Sequence, residues 1–424
     1  MIQCFQSYEL EGFYRALKTR KTRQSLDLMP SVWRIIESVV ETGDAAVMEA
    51  TEKFDGVTLD ALRVTEEALE SAFETSELSY ISALDVAIEN IRRFHAPQVQ
   101  KGYELRDKDT YMGQKVGPIS RVGIYVPGGA AVYPSTLLMN AIPAQLAGVN
   151  EIVVVTPPQK NLESLKAIYA AAYRLGIREV YQIGGVQAIA ALAYGTESIK
   201  PVQKITGPGN QYVTLAKKLV FGDVAIDMIA GPSEVLIVSD GQTPIKYIAA
   251  DLLAQLEHDR EAMAVLLTTS EVEVEVLEAE LIVQSKMLTR AEDILGALSQ
   301  NVFVIRCASV AEMVCIANQV APEHLEWLVS DNEDAMDGIV NAGALFIGSY
   351  TPEALGDYLA GPNHTLPTTG TAKFSSPLGV YDFQKRMNYL YYGREAFERA
   401  AAHVVKFAEK EGLDAHGKSI SIRL

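Results

Sequence analysis

In the segment DLLAQLEHDRE, residues 251–261, Gln255 and His258 stand three apart. On a helix turning about 100° per residue, Ile248, Leu252, Leu253 and Leu256 form an apolar arc. Asp251, Gln255 and His258 lie together on the edge of that arc, while Glu257 points away. Such an edge suits a solvated helix face. Residues three apart on a helix can also share one ion, so the edge is a candidate for half of a metal site, though the spacing alone favours the solvated face. A second group stands in APEHLEWL, where Glu323 and His324 are adjacent at the start of a predicted strand. A carboxylate and an imidazole side by side can divide acid and base work, and histidine is the natural base near neutral pH. Two further segments carry donors. GDYLAGPNHTLPT holds Asp357 and His364, and EGLDAH holds Glu411 and His416. Gln255, His258, Asp357 and His416 together would make a nitrogen and oxygen site suited to a borderline ion such as zinc. His95 and His403 fall in helical runs and read as structural.

These residues need a scaffold, and the chain has the length for one. Its 424 residues are 48% hydrophobic and 21% charged, as in ordinary globular enzymes. A net charge of -17 argues against binding nucleic acid or anionic lipid. Cys4, Cys307 and Cys315 form no CxxC pair, which fits a reducing compartment. No secretory signal and no spanning apolar run is read, so a cytoplasmic protein is expected.

Residues up to about 100 carry helical periodicity. From about residue 118, β-branched runs alternate with helical stretches: RVGIYV, EIVVVTPP, EVYQIGG and QKITGPG, then VLIVSD, AMAVLLTTS, NVFVIRC, HLEWLVS and ALFIGS. That alternation predicts parallel sheets with crossover helices. The expected fold is α/β, with two Rossmann-like parallel-sheet units, a helical N-terminal part and a C-terminal helical tail. The expected division is an arm at 1–22, a helical part at 23–124 joined with 235–380, a second α/β unit at 125–234, and a tail at 381–424 read as helical. The fingerprint GxGxxG is absent. Three glycine turns stand in its place: Val126-Pro127-Gly128-Gly129, Ile183-Gly184-Gly185 and Gly207-Pro208-Gly209-Asn210. Each follows a predicted strand and precedes a helix, where a backbone can approach a phosphate closely.

RVGIYVPGG, NAIPAQLAG, QIGGVQAIAALAYGT, ITGPGNQYV, AGPSEVLIV, DLLAQLEHD, APEHLE and GPNHTLPT occur in order from about residue 115. Together they resemble the histidinol dehydrogenases. The resemblance implies a zinc enzyme that oxidises L-histidinol to L-histidine, reducing two NAD molecules through a bound aldehyde. It implies a homodimer in which the C-terminal tail of one subunit completes the other's site. It assigns the zinc to Gln255, His258, Asp357 and His416, and the acid/base roles to Glu323 and His324. Substrate contacts fall to Ser233, Gln255, His258, His324, Asp357, His364, Glu411 and His416, and NAD contacts to Tyr125, Gln187 and Asn210. Leu256 and Trp327 depart from the family pattern, where smaller and aliphatic residues are expected. The family also has relatives acting on other small polar alcohols, including a sulfonated propanediol.

Overall fold

A computed structural model describes residues 2–22, 27–128, 132–269, 274–330 and 333–424. Gly129, at the end of the first glycine turn, lies outside them. The early strands are β1 (Gln3–Gln6), β2 (Tyr103–Asp107), β3 (Thr110–Pro118) and β4 (Arg121–Tyr125). Next come β5 (Glu151–Val155), β6 (Glu179–Tyr181), β7 (Lys204–Thr206), β8 (Ala225–Ile226) and β9 (Glu234–Ser239). The series ends with β10 (Met263–Thr268), β11 (Val302–Arg306), β12 (His324–Leu328), β13 (Ala344–Ile347) and β14 (Gln384–Tyr392).

They form two parallel sheets and one antiparallel sheet. The five-stranded sheet runs β6-β5-β4-β7-β8 and the six-stranded sheet β1-β11-β10-β9-β12-β13. Their central strands read as continuous apolar runs because helices cover both faces. Every residue of β4, β9, β10 and β12 is buried. The chain order changes direction between β4 and β7 in one sheet and between β9 and β12 in the other. Such reversals open crevices at strand ends. Among the described residues no helix is long and apolar enough to cross a membrane.

Three expectations differ from this architecture. The helices between Met29 and His95 pack on the five-stranded unit. Val32, Ile36 and Val47 join the core of Ile189 and Leu192, and Leu69, Leu84 and Ile91 join that of Val122 and Ile142. The 23–124 segment therefore goes with 125–234 rather than with 235–380. An amphipathic stripe specifies that a helix is buried but not against which sheet. The segment 1–22 is no arm: β1 pairs in register with β11, and Phe13 is fully buried in the six-stranded unit's core. The third difference lies in the tail. QKRMNYLYY is strand β14, which pairs antiparallel with β3, itself the partner of β2. Both faces of β14 are largely exposed, so no alternation of apolar and polar residues marks it. Two helices follow, Arg394–Glu411 and Asp414–Ser421.

Candidate active site

The carboxyl edge of the five-stranded sheet faces the amino edge of the six-stranded sheet across one cavity of about 640 Å³. The Gly207–Asn210 turn, which follows β7, lines one side. Ser233, just before β9, and Glu323 and His324, at the start of β12, line the other.

The Gly207 turn is clamped from below. Gly207 has φ 110°, and a Cβ there would meet the Tyr125 carbonyl oxygen at 2.0 Å. Its N–H donates to Asp227 Oδ2 at 2.8 Å, and its carbonyl accepts from Lys217 Nζ at 2.9 Å. Lys217 and Asp227 form an ion pair whose side chains are only 4% and 1% exposed. Replacing Lys217 with methionine strands a buried carboxylate and should cost about 3–5 kcal/mol, read as an earlier midpoint in chemical denaturation. A midpoint equal to that of the unmodified protein would show that the pair does not hold the turn.

Glu323 and His324 are 6% and 3% exposed. Glu323 Oε2 accepts from the backbone N–H of Glu234 at 3.0 Å, and the Ser233 hydroxyl hydrogen-bonds to the same carboxyl. Burial nonetheless raises its pKa well above the usual carboxylate range. His324 Nδ1 lies 3.3 Å from the Glu234 carbonyl, which can only accept, so Nδ1 carries the proton and donates. Nε2 is then the bare nitrogen. It is buried without a hydrogen-bond partner and stands 3.8 Å from Asp357 Oδ1. Burial lowers the His324 pKa to about 3, so the imidazole is neutral and can accept a proton.

Beside this pair lie the metal candidates. Ligand atoms of His258, Glu353 and Asp357 all stand within 4.8 Å of one another. Gln255 Nε2 is 3.4 Å from His258 Nδ1, and Gln255 Oε1 is buried without a donor. The helix Ile245–Leu256 presents Gln255, and the residues just past its end present His258. Asp357 sits in a single π-helical turn, Gly356–Ala360, of the kind often found at functional sites. Burial pushes its carboxyl up to about 7, and Glu353 well above its ordinary value. Crowded, desolvated carboxyls of this kind suit a cation, which reverses both effects. The sequence reading does not single out Glu353. Its signal is the four-residue spacing to Asp357, hidden because an acidic residue opening a short helix is ordinary.

His364 lines the same cavity. Its Nδ1 donates to the Asp357 carbonyl at 3.0 Å, its Nε2 is buried without a partner, and burial lowers its pKa to about 4. The preceding Asn363 fixes the turn by donating to the Met139 carbonyl at 2.6 Å. Asn210 lines the cavity too, with Oδ1 capping the helix Gln211–Val220. Tyr125 and Gln187 do not reach the wall. Both are buried beneath the second glycine turn, and the Tyr125 hydroxyl accepts from Gly185 N–H at 3.1 Å. Glu411 and His416 are exposed on the tail and stand outside the cluster. Leu256 and Trp327 are packed in the apolar cores and do not line the cavity.

A family model described as histidinol dehydrogenase matches residues 18–424. The chain belongs to the histidinol dehydrogenase family. It is 47% identical to the histidinol dehydrogenase of Clostridium acetobutylicum over 426 residues, covering 100% of this chain and 99% of that one. Identity to the histidinol dehydrogenase of Bacillus subtilis is 48% over 394 residues, covering 93% and 92%. The crystal structure of histidinol dehydrogenase from Elizabethkingia anophelis superposes with a TM-score of 0.92 at 35% identity, covering 100% and 98%. The α/β architecture of parallel-sheet units is thus a histidinol dehydrogenase fold.

Proposed function

We propose that the chain oxidises L-histidinol to L-histidine, using two NAD molecules and one zinc ion per subunit. The observation that carries this reading is the placement of Glu323 and His324 opposite the Gly207–Asn210 turn across one cavity. NAD would lie along the carboxyl edge of the five-stranded sheet, with Asn210 on the wall and Tyr125 and Gln187 beneath the Ile183–Gly185 turn.

His324 Nε2 takes the alcohol proton as hydride leaves the carbinol carbon for the first nicotinamide. The aldehyde stays in the cavity. Glu323 then takes a proton from the water that adds to the aldehyde carbon, and the hydrate gives its hydride to a second NAD. Ser233 holds the Glu323 carboxyl, and the Nε2 atoms of His324 and His364 remain as acceptors for substrate. The donor set fits zinc: Gln255, His258 and Asp357 would hold it, and the ion would supply Lewis-acid charge and orient the substrate.

His416 and Glu411 reach such a site only from a second copy of the chain. Their exposure supports this, as do the exposed Leu390 on β14 and Phe407 and Ile422 on the tail, an apolar surface suited to a homodimer. A biosynthetic oxidation of this kind supports a cytoplasmic location.

NAD reduction with a panel of small polar alcohols, a sulfonated propanediol among them, tests the substrate. Histidinol should have the highest kcat/KM. Another alcohol ahead by a hundredfold, about 2.7 kcal/mol of transition-state binding, would reassign the substrate.

A further inference from the structure

Asp251 shares the polar helix edge with Gln255 and His258, yet it has no part in the chemistry above. Its partner is Glu326, which is 1% exposed on β12, two residues beyond His324. One Glu326 oxygen, Oε1, accepts from the backbone N–H of Glu353 at 2.8 Å. The other, Oε2, is buried and accepts from no donor group, and the Asp251 carboxyl lies within hydrogen-bonding reach of the Glu326 carboxyl. Two carboxyl groups can share a hydrogen bond only if one is protonated, because an ionised carboxylate has nothing to donate.

The placement of this bond matters more than its strength. Asp251 lies on the helix that carries Gln255 and leads to His258. Glu326 lies on the strand that begins with His324. The Glu353 N–H opens the short helix that continues into the π-turn of Asp357. Glu353 Oε1 also stands 3.7 Å from His324 Nδ1. The three segments that supply the site's donors within one chain therefore meet at a single carboxyl group.

We propose that Asp251 and Glu326 form a proton-sharing positioning pair that sets the spacing of the zinc donors Gln255, His258 and Asp357 against the base His324. The inference rests on the zinc reading above. Outer hydrogen-bond partners of metal ligands commonly contribute 10- to 100-fold in metal affinity. Here they act through the segments rather than on a ligand atom. What the pair must supply is a hydrogen bond, not a charge.

That distinction gives the test. Glu326→Gln keeps both bonds: its amide oxygen accepts from Glu353 and its NH2 donates to the Asp251 carboxylate. Glu326→Met keeps the length and loses both. Asp251→Asn keeps the shared bond, and Asp251→Ala loses only that bond at a partly exposed position. Zinc affinity of each metal-stripped variant is measured by competition with a chromophoric chelator, and kcat and KM are measured on the zinc-loaded forms. Thermal melting identifies the variants that fold. E326Q and D251N should stay close to the unmodified protein. E326M and D251A should lose about 10- to 100-fold in zinc affinity, with a fall in kcat. Should E326M fail to fold, D251A carries the same comparison. Unchanged zinc affinity in folded E326M and D251A overturns the proposal. So does an E326Q as weak as E326M, since charge rather than hydrogen bonding would then be at work. His258→Ala is the separate control: retention of zinc there refutes the zinc site itself and not the pair.

Discussion

Replacing His324 with alanine lowers kcat by about 10²- to 10⁴-fold, the share a positioned general base contributes. That is roughly 2.7–5.5 kcal/mol of transition-state stabilisation. The magnitude follows from how little freedom the ring has. It is 3% exposed, its Nδ1 is committed to the Glu234 carbonyl, and its neutral Nε2 faces the cavity without a partner. Zinc content should be unchanged, because the cluster of His258, Glu353 and Asp357 does not include His324. Steady-state kinetics with metal analysis of the same sample separates the two effects. A variant that keeps its kcat would move the base elsewhere, with His364 the first candidate. A variant that loses its zinc would make His324 a metal-site residue.

Deleting residues 411–424 should abolish turnover while leaving the fold intact. Every residue of that stretch is exposed or half-buried, and its helix packs on the helix Arg394–Glu411. The thermal transition should therefore barely move, although the deletion removes Glu411 and His416. Mixing makes the prediction sharper. In a mixed dimer of the truncated chain with full-length His324→Ala, one site combines an intact His324 with an intact tail from the other chain. Two inactive proteins should then regain roughly a quarter of full activity at equal, random pairing. If each tail served its own subunit, no mixed site would be complete and nothing would be recovered.

The sequence and the structure agree where burial leaves a clear pattern. β4, β9 and β10 are fully buried strands rich in Val, Ile and Leu, and their apolar runs are visible directly. β14 is a strand of the surface, and its mixture of Arg, Asn, Met and Tyr shows no period. The helices of residues 29–95 announce an apolar face but not its partner, so their place on the five-stranded unit waits for the structure. In the site, the helix edge of Asp251, Gln255 and His258 is legible from spacing alone. The meeting of that edge with Asp357 is not, because about a hundred residues of chain intervene. The sequence sets Glu323 and His324 at a strand start, but not that this amino edge faces the glycine turns of the other sheet. General experience of open α/β sheets directs attention to the carboxyl ends. Here that rule describes the five-stranded sheet, and the acid/base pair comes from the opposite edge of the other. Glu353 and Glu326 were hidden for a simpler reason: acidic residues at a helix start and in a strand look like surface until the structure buries them.

On the proposed mechanism one cavity carries out both oxidations, with His324 and Glu323 acting in turn. Counting NADH formed per histidinol consumed, under NAD excess with an aldehyde trap present, tests it most directly. Two NADH per histidinol, histidine as the product and no trapped aldehyde are the expected result. One NADH per histidinol, with the aldehyde accumulating in the trap, would contradict it.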